Sequence, residues 1–388
     1  MPNSEDLGSA EKNGPGAGSG AAPIGGCAAA GGDDPIGRLR GRIDDLDAQV
    51  LKLLNERAAL AREIGRLKGQ GAKYRPDREA AVLDKTRARN TGPLSDEAAM
   101  RLQREVMSAC LALEKPLTIA FLGPEGTFSH MAALKHFGSS ALMAPKRSAK
   151  EALRAVETGE CDMALIPVEN SSSGSVGQHL DLLIDTPLAV TGEAQLRVRF
   201  HLMSKTGDAL AVRTVTAHPQ ALAQCKGFLD ERFGSAALLP APSNAEAAKS
   251  AALRADGSVA ALASDLAAEI YGLRVAARDV EDEANNTTRF LALGGAAPGP
   301  TGNDKTSLAL SAPNKAGAMS RLLEPLSRHR VSMTKLESRP SRSGMWEYVF
   351  FVDVVGHRED PPLAAALEEI SEVCPFVKVL GSYPAARM

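Results

Sequence analysis

The sequence predicts a multidomain chain whose parts differ in fold class: an all-α domain at residues 35–116, a two-lobed α/β domain at 117–296 and an α+β domain at 304–385. Three observations predict this division. Apolar residues first recur with the period of a helix, then short β-rich runs alternate with helical runs, and finally strands and helices follow in the order βαββαβ. The stretch APGPTGN at 297–303 has the composition of a linker.

The composition limits the function as well as the fold. The 388 residues leave room for two or three domains, and the 44% of apolar residues suffice for real cores. The net charge of −2 gives no reason to expect a nucleic acid or an anionic membrane as partner, and no apolar run is long enough to span a bilayer. The five cysteines form no CxxC pair and the seven histidines show no metal-ligand spacing. We therefore expect a cytoplasmic protein without disulfides, bound metal or cofactor.

Residues 1–34 differ from the rest of the chain. They are rich in Gly, Ala, Ser and Asn, contain one Lys and no Arg, and lack a continuous hydrophobic segment. This is the composition of neither a signal peptide nor a transit peptide. We expect a disordered tail.

Residues 36–69 have the apolar spacing of one long helix. Apolar residues recur at intervals of three, four and seven, at Ile36, Leu39, Ile43, Leu46, Val50, Leu53, Leu60, Ile64 and Leu67. At ~1.5 Å per residue the helix would be about 50 Å long, so its apolar stripe needs partners. A second helix is expected from Pro76 to about Arg89, and a third from a cap at Ser95 to about Glu114.

The long helix carries three cations that could share one anionic ligand. Arg57 and Lys68 are eleven residues apart, which offsets them by only ~20° on a helix. Arg40 lies seventeen residues before Arg57 and is turned roughly 100° away, so it could join them only from a second copy of the helix. The alternative is that all three are solvated surface charges, and from spacing alone this alternative is the stronger.

The stretch LRGRIDDLDAQVLKLLNERAALAREIGRLK, followed by YRPDREAAVL, resembles the all-helical type of chorismate mutase, over essentially all of residues 36–115. The resemblance implies an intertwined dimer whose N-terminal arginine, here Arg40, crosses into the partner's site. By position it implies that Arg40, Arg57 and Lys68 bind the carboxylates and the ether oxygen of chorismate. Arg78 and Glu79 would complete the pocket, with Glu79 facing the ring hydroxyl.

Three positions depart from that family's pattern. Arg75, also a candidate for binding chorismate, stands where an Asp is common, and Cys110 stands where one relative has Ser. Glu114 stands where a Gln donates a hydrogen bond to the ether oxygen. Because a carboxyl group can donate only when it is protonated, we expect a mutase activity that weakens as the pH rises.

Residues 117–296 alternate between the two kinds of element, which predicts an α/β region of two lobes with a cleft between them. The expected strands are TIAFLG, DMALIPV, LAVTGEAQLRVRFHLMS, RTVTAH, SVAALA and RFLAL. The expected helices are SAKEALRAVETG, PQALAQCKGFLDERFG and NAEAAKSAALRA.

Two loops of this region join a strand to a helix. FLGPEGTFSH places Thr127 and Ser129 at a helix start, and IPVENSSSGSVGQHLDLL places Glu169 and Asn170 at a strand end, with serines leading into the next helix. Backbone N–H groups at a helix start can bind a carboxylate. Each loop taken alone is equally typical of an ordinary helix cap.

These loops, with HPQALAQC, AALASDLAAEIYGL and NNTTRF, resemble prephenate dehydratase from Leu117 to about Leu293. The resemblance implies a site in the cleft where prephenate loses water and CO₂ to give phenylpyruvate. It makes the Thr of the T-R-F triplet, Thr288, essential. Glu169 or Asn170 would help to place its proton, and Arg289 would bind a carboxylate or brace the loop. Hydroxyls that could anchor the acid groups are Thr127, Ser129, Ser171 and Ser172.

Two other features of the region are expected to be structural. The acidic run at 281–283 is taken as solvated surface. His218, in AHPQA, is expected to be a helix-start residue and not a catalyst.

The last domain has the strand and helix order of a ferredoxin-like fold. SLALSAPNKAGAMSRLLEPL and TKLESRPSRSGMWEYVFFVDV resemble the ACT domain of regulated dehydratases, over residues 305–385. The resemblance implies a site for an amino acid, phenylalanine, between a helix start and the E-S-R-P motif. The implied residues are Gly317, Ala318, Met319, Glu337, Ser338, Arg339 and Pro340.

Taken together, the sequence predicts a bifunctional enzyme of phenylalanine biosynthesis with chorismate and prephenate as substrates. It would be feedback-inhibited by phenylalanine and form a homodimer or a higher homo-oligomer. Two alternatives remain: a dehydratase with a degenerate mutase domain, and a non-catalytic two-lobed binding protein with an amino-acid sensor.

Overall fold

The computed structural model describes residues 34–68, 74–312, 315–340 and 348–386. The predicted tail, apart from Asp34, and the predicted helix end at Gly69 and Gly71 lie outside these residues. By its packing the chain divides into two units, Met1–Leu53 and Leu54–Met388. All the structural relationships below lie within the second unit unless the first is named.

The described residues of the N-terminal part form three helices, as predicted: α1 (Pro35–Lys68), α2 (Pro76–Arg89) and α3 (Asp96–Ala112). Ser95 caps α3, and its hydroxyl accepts a hydrogen bond from the backbone N–H of Ala98 at 3.2 Å. The apolar stripe of α1 is open to solvent along its length. Leu46 in the first unit is 57% exposed, and Leu60 in the second is 62% exposed.

The α/β region contains, in chain order, β1 (Thr118–Leu122), α4 (Phe128–Phe137), β2 (Leu142–Lys146), α5 (Ala149–Glu157), β3 (Met163–Asn170), β4 (Gly174–Ser175), α6 (Gly177–Asp185), β5 (Val190–Arg197), β6 (His201–Ser204), β7 (Thr214–Ala217), α7 (Pro219–Gln224), α8 (Lys226–Phe233), β8 (Ala237–Pro240), α9 (Asn244–Ala252), β9 (Val259–Ala263), α10 (Asp265–Tyr271), β10 (Arg274–Ala277) and β11 (Thr287–Gly294). A short 3₁₀ turn, Ala209–Ala211, precedes β7.

Two sheets make the two predicted lobes. The first has the order β2-β1-β3-β11-β5 with β4 paired to β3, and the second has the order β10-β6-β9-β7-β8. The chain builds most of the first sheet, crosses to build the second, and returns with β11, which pairs antiparallel with both β3 and β5. The returning strand therefore lies inside the first sheet and begins at the cleft.

Two expected elements are divided in the structure. The run LAVTGEAQLRVRFHLMS forms β5 in the first sheet and β6 in the second, because the chain changes lobe between them. The helix expected at PQALAQCKGFLDERFG is split into α7 and α8 at Cys225, whose φ of −115° and ψ of 19° are not helical. Elements that the sequence analysis did not predict include β2, β8, α10 and β10.

The C-terminal part comprises β12 (Asp304–Ala312), α11 (Ala318–Arg328), β13 (Met333–Pro340), β14 (Tyr348–Val355), α12 (Pro361–Val373) and β15 (Val377–Pro384). Its sheet is antiparallel in the order β13-β14-β12-β15, which confirms the ferredoxin-like prediction. One face of the sheet packs on α11 and α12. The other face joins the core of the first lobe through Ala309, Phe351 and Tyr383.

The contact between the C-terminal sheet and the first lobe is close. A Cβ added to Gly381 on β15 would lie 2.0 Å from the carbonyl oxygen of Val190 on β5. Only glycine allows the two backbones to approach in this way. The C-terminal domain is therefore fixed to the lobe that carries β3 and β11.

Within the described ranges, no helix is long and apolar enough to cross a membrane, and no cluster of His, Cys, Asp and Glu could hold a metal ion. The described cysteines, Cys110, Cys161, Cys225 and Cys374, are free and buried.

Candidate active site

A cavity of about 370 Å³ opens at the cleft between the two sheets. It is lined by Leu122, Gly123, Gly126, Thr127, Phe128, Ser129, Arg147, Pro167, His218, Pro242, Ser243, Asn244, Ser264, Thr288 and Phe290. Three of the predicted residues, Thr127, Ser129 and Thr288, therefore lie at the same cavity. The residues from 218 to 264 come from the second lobe, so both lobes contribute to the wall.

Helix N-termini face this cavity from both lobes. Thr127 is the N-cap of α4 and Ser243 is the N-cap of α9, and each accepts a hydrogen bond from a backbone N–H in the first turn. The unpaired N–H groups and the dipole at a helix start favour a bound anion. The hydroxyl of Thr127 lies 3.0 Å from the carbonyl oxygens of both Leu122 and Pro124, so it is occupied in shaping the loop.

The catalytic candidate Thr288 lies at the start of β11, next to Asn170 at the end of β3. Nδ2 of Asn170 donates to Oγ1 of Thr288 at 2.9 Å and to Oδ1 of Asn286 at 2.7 Å. Oδ1 of Asn170 accepts from the backbone N–H groups of Ser172 and Ser173 at 3.1 and 3.2 Å. Because a backbone N–H can only donate, these contacts fix the orientation of the amide. Thr288 therefore accepts from Asn170 and keeps its own proton for another partner.

A β-bulge determines which of the two neighbouring side chains, Glu169 or Asn170, reaches the cleft. Arg289 pairs with Glu169, whereas the next residue, Phe290, pairs with Pro167, so Val168 is the extra residue on β3. Without the bulge, Glu169 would share the cleft face with Pro167, because side chains alternate along a strand. The extra residue places Asn170 on the cleft face and Glu169 on the opposite face.

As a result, Glu169 and Arg289 lie on the side of the sheet that faces the C-terminal domain. Oε2 of Glu169 accepts from Nζ of Lys335 at 2.8 Å. Arg289 bonds Glu193 at 2.7 Å and Asp353 at 2.5 Å. Of the two partners proposed for Thr288, the structure brings Asn170 to it and turns Glu169 away. Of the two roles considered for Arg289, this placement favours bracing.

Around Arg289, burial and neighbouring charges shift pKa values in opposite directions. Burial alone would lower its pKa, but Tyr383, Asp353 and Glu193 hold the pKa above its ordinary value. Burial would also raise the pKa of the Glu193 carboxyl, yet Arg289 and Lys305 keep that pKa below its ordinary value. The guanidinium of Arg289 and the carboxylate of Glu193 thus remain charged while largely buried.

The serines after Asn170 brace the loop. Ser171 donates to the carbonyl oxygen of Asn285 at 3.2 Å, and Ser172 donates to Glu283 at 2.8 Å. Neither lines the cavity. Their side chains therefore hold the 170–173 turn against the segment that leads into β11.

The acidic run lies at the surface, as predicted for its exposed members Asp282 and Glu283, and two of its carboxylates also bond the main chain. Glu281 accepts from the backbone N–H of Phe200 at 2.9 Å. Asp282 accepts from the N–H groups of Gly227 and Phe228 at the start of α8, at 3.0 and 3.3 Å. The run ties the approach to β11 onto the second lobe.

Several residues of the cavity wall were not predicted from the sequence. Arg147 brings a guanidinium that is 90% exposed and pairs with Glu151 at 2.9 Å. Ser243 and Ser264 cap the helices α9 and α10, and the signal that could have found them is a Ser one residue before a helix. His218 also lines the cavity and, as expected, is a helix-start residue that caps α7.

The candidate mutase residues are placed as follows. Arg40 is exposed on α1 in the first unit, and the side chain of Lys68 lies outside the described residues. Arg57 donates to the carbonyl oxygen of Val106 on α3 at 3.5 Å.

Just before α2, Arg75 is paired with Asp77 at 2.7 Å, and Arg78 on α2 is exposed. Glu79 pairs with Arg104 of α3 at 3.0 Å. The position of a Cβ on Gly65 of α1 would be 2.5 Å from Cδ of Glu114. The Glu114 carboxyl therefore lies against the same helix as Arg57, two turns further along.

The candidate effector residues fall into two groups. Gly317 has φ of +73°, which favours glycine, and precedes α11, where Ala318 and Met319 begin the helix. On β13, Glu337 bonds Ser175, and Arg339 bonds Asp181 at 2.9 Å.

The neighbouring residues Ser338 and Pro340 are exposed, as β13 is an edge strand whose side chains alternate. The E-S-R-P motif thus presents one face to the first lobe and the other to solvent.

Comparison with known proteins agrees with the predicted resemblances. Family models match for chorismate mutase type II over residues 39–115, prephenate dehydratase over 119–297 and the ACT domain over 306–372. A bifunctional chorismate mutase/prephenate dehydratase from Neisseria gonorrhoeae is 53% identical over 348 residues, which cover 89% of this chain and 96% of the relative.

Two solved structures are each similar to 69% of the chain, with a TM-score of 0.64 and 33% identity in both cases. One is a prephenate dehydratase from Arthrobacter aurescens in complex with L-Phe, of which 90% is covered. The other is GqqA, described as a novel type of quorum quenching acylase, of which 98% is covered.

Proposed function

The chain belongs to the family of bifunctional chorismate mutase/prephenate dehydratases, and on that premise we propose that Thr288 is the proton donor of its dehydratase reaction. The enzyme is an isomerase in its helical domain and a lyase in its two-lobed domain. The observation that carries the proposal is the fixed orientation of the Asn170 amide, which leaves the Thr288 proton directed away from Asn170.

The dehydratase step balances with one proton taken up. As the bond between the ring carbon and the hydroxyl oxygen breaks, Thr288 Oγ1 gives its proton to that oxygen, and water leaves. The electron pair of the bond between the ring and its carboxylate moves into the ring, which becomes aromatic, and CO₂ departs. Solvent then returns a proton to Oγ1 of Thr288. A positioned proton donor of this kind contributes about 10²–10⁴-fold in rate.

The two carboxylates of prephenate need anchors in the cavity. We propose that the N-termini of α4 and α9 and the guanidinium of Arg147 supply them. Ser129, buried at the first turn of α4, would add a hydroxyl donor. Thr127, Ser171 and Ser172 would act indirectly, by holding the two loops that shape the cavity.

For the mutase reaction we propose a site made from two copies of the chain. The exposed apolar stripe of α1 supports a second copy as its cover, since a monomer rarely leaves such a surface open. Arg40 of one copy would join Arg57, Lys68, Arg78 and Glu79 of the other around the chorismate dianion. The pericyclic step needs no nucleophile, so the cations act by holding the compact conformer and stabilising charge on the ether oxygen.

For regulation we propose that phenylalanine binds beside Gly317 and the solvent side of E-S-R-P. The positive φ at Gly317 opens the start of α11, whose N–H groups would take the carboxylate of the ligand. The solved relative in complex with L-Phe supports phenylalanine as the effector. Calorimetric titration should show binding and inhibition at or below millimolar phenylalanine, and Gly317→Val should abolish both.

The experiment that tests the whole assignment is a coupled assay on the purified chain, with chorismate as the only substrate. Formation of phenylpyruvate requires both activities. Prephenate supplied directly then separates a weak mutase from a weak dehydratase. If neither chorismate nor prephenate were consumed, the assignment of both activities to this chain would fail.

A further inference from the structure

The pair of strands that carries Thr288 has two functional sides. Thr288 and Asn170 form a cross-strand pair on the cleft side, and the adjacent Arg289 and Glu169 form the next pair on the opposite side. Adjacent residues share one rigid peptide plane. Whatever fixes the outer pair therefore also fixes the inner pair.

The guanidinium of Arg289 is held on all three nitrogens. Nε donates to Glu193 at 2.7 Å, Nη1 to Asp353 at 2.5 Å and Nη2 to the hydroxyl of Tyr383 at 3.0 Å. Asp353 lies on β14 and Tyr383 on β15, so two of the three partners belong to the C-terminal domain. The side chain is only 12% exposed, and these partners leave it poorly placed to meet a substrate carboxylate.

The second half of the outer pair is held from the same domain. Nζ of Lys335, on β13, lies 2.8 Å from Oε2 of Glu169 and 3.1 Å from Oγ of Ser175. The side chain of Lys335 is 14% exposed and that of Glu169 is 37% exposed, so this ion pair is partly shielded from water. Arg289 adds a longer contact of 3.7 Å to the same carboxylate.

We propose that Arg289 and Lys335 are positioning residues of the dehydratase reaction. They clamp the outer side of the β3–β11 pair to the C-terminal domain and so hold the Thr288 hydroxyl in its place at the cleft. The inference rests on the proposed role of Thr288. Neither residue touches substrate, and a displacement of about 1 Å at a reacting group costs on the order of 10²-fold in rate.

Lys335→Met tests the clamp from the side remote from the cavity. It keeps the length of the side chain and removes the charge opposite Glu169 and, at 3.5 Å, opposite Glu337. Lys335→Arg restores the charge. The matched control is Lys378→Met, because Lys378 also reaches from the C-terminal domain to the first lobe. Its Nζ bonds the carbonyl oxygens of Leu183, Ile184 and Thr186 at 3.0, 2.8 and 2.6 Å, away from the β3–β11 pair.

We expect Lys335→Met to lower kcat for prephenate by ~10-fold with KM within about twofold of the wild type, because orientation is lost and binding is not. Lys335→Arg should recover most of kcat, and Lys378→Met should leave it unchanged. Equal losses of kcat in Lys335→Met and Lys378→Met would mean that any weakened contact between the C-terminal domain and the first lobe lowers kcat, and would overturn the specific clamp. An unchanged kcat in Lys335→Met, or a loss confined to KM, would also overturn the clamp.

Two further measurements keep the result interpretable. Should Lys335→Met fold poorly, as judged by circular dichroism and its chorismate mutase rate, Glu169→Gln breaks the same contact from the other side and should give the same loss. The double variant should then be no worse than either single variant, whereas additive losses would contradict a shared contact. Thr288→Ala in the same assay separates the proposed role of Thr288 from the proposed clamp. If Thr288→Ala is inactive while Lys335→Met has a normal kcat, only the clamp fails.

Discussion

Asn170 donates a hydrogen bond to Thr288 across the end of the β3–β11 pair, with 2.9 Å between Nδ2 and Oγ1. The other end of the same amide is fixed by the backbone N–H groups of Ser172 and Ser173. The direction of this bond is thus determined by the main chain. It makes the hydroxyl of Thr288 a donor toward the cavity, which is the property that the loss of a ring hydroxyl requires.

Thr288→Ala should lower the dehydratase kcat by ~10²–10⁴-fold, the range of a positioned proton donor. Thr288→Ser keeps the hydroxyl and should retain much of the rate. The matched control is Thr287→Ala, because Thr287 donates to the carbonyl oxygen of Asn285 and does not line the cavity. The measurement is steady-state formation of phenylpyruvate from prephenate. Near-wild-type turnover in Thr288→Ala would remove Thr288 from the mechanism.

Asn170→Asp should be as damaging as Asn170→Ala, although it is nearly isosteric. A carboxylate at 170 could still accept from Ser172 and Ser173, so the turn would survive. It could not donate to Thr288, whose hydroxyl would instead donate to the carboxylate and turn its proton away from the substrate. We expect kcat to fall at least ~10²-fold with circular dichroism unchanged. An active Asn170→Asp enzyme would show that the direction of this bond is unimportant.

Many of the helices and strands and some of the helix caps could be predicted from the sequence, but the faces of the strands could not. Ser95, Thr127 and the helix starts follow from local hydrogen bonding, which a few neighbouring residues determine. Whether Glu169 or Asn170 faces the cleft depends on a bulge at Val168, and the bulge depends on the partner strand more than a hundred residues away. A period-2 pattern read within β3 alone carries no sign of it.

The partners of Arg289 could not be predicted from the sequence, because they too depend on contacts between distant parts of the chain. Glu193 and Asp353 come from two other strands, one of them in another domain. In the sequence, a cation next to a proposed catalytic threonine is as compatible with substrate binding as with bracing. Only the folded structure shows which groups surround it. The main-chain bonds of the acidic run at 281–283 were not predicted, because Glu281 and Asp282 accept from N–H groups that lie 81 and 55 positions away in the sequence.

His136 should make the protein less stable in mild acid. Burial, and secondarily Arg104, lower the pKa of its imidazole to about 3, although Glu193 opposes the shift. In the unfolded chain the pKa is ordinary, about 6.5, so below that pH the unfolded state binds the extra proton. Stability is therefore full above about pH 6.5 and is lost as the pH falls toward 3, by on the order of 4 kcal/mol for this group.

The check is the melting temperature as a function of pH for the wild type and for His136→Gln, which cannot titrate. The variant should lose less stability than the wild type between pH 6.5 and 5. Parallel curves would mean that the imidazole is already accessible to protons in the folded state.

Glu114→Gln should raise the mutase rate. The carboxyl of Glu114 lies against Gly65 on α1, on the helix that carries Arg57, at the position where the sequence pattern expects a donor to the ether oxygen of chorismate. The amide of a glutamine donates hydrogen bonds and carries no charge that would oppose the charge developing on that oxygen. We therefore expect mutase kcat to increase by ~10-fold or more in Glu114→Gln. The dehydratase rate of the same preparations, measured with prephenate, is the internal control and should be equal in both proteins. A mutase rate that Glu114→Gln leaves unaltered would place the ether-oxygen donor elsewhere in the site.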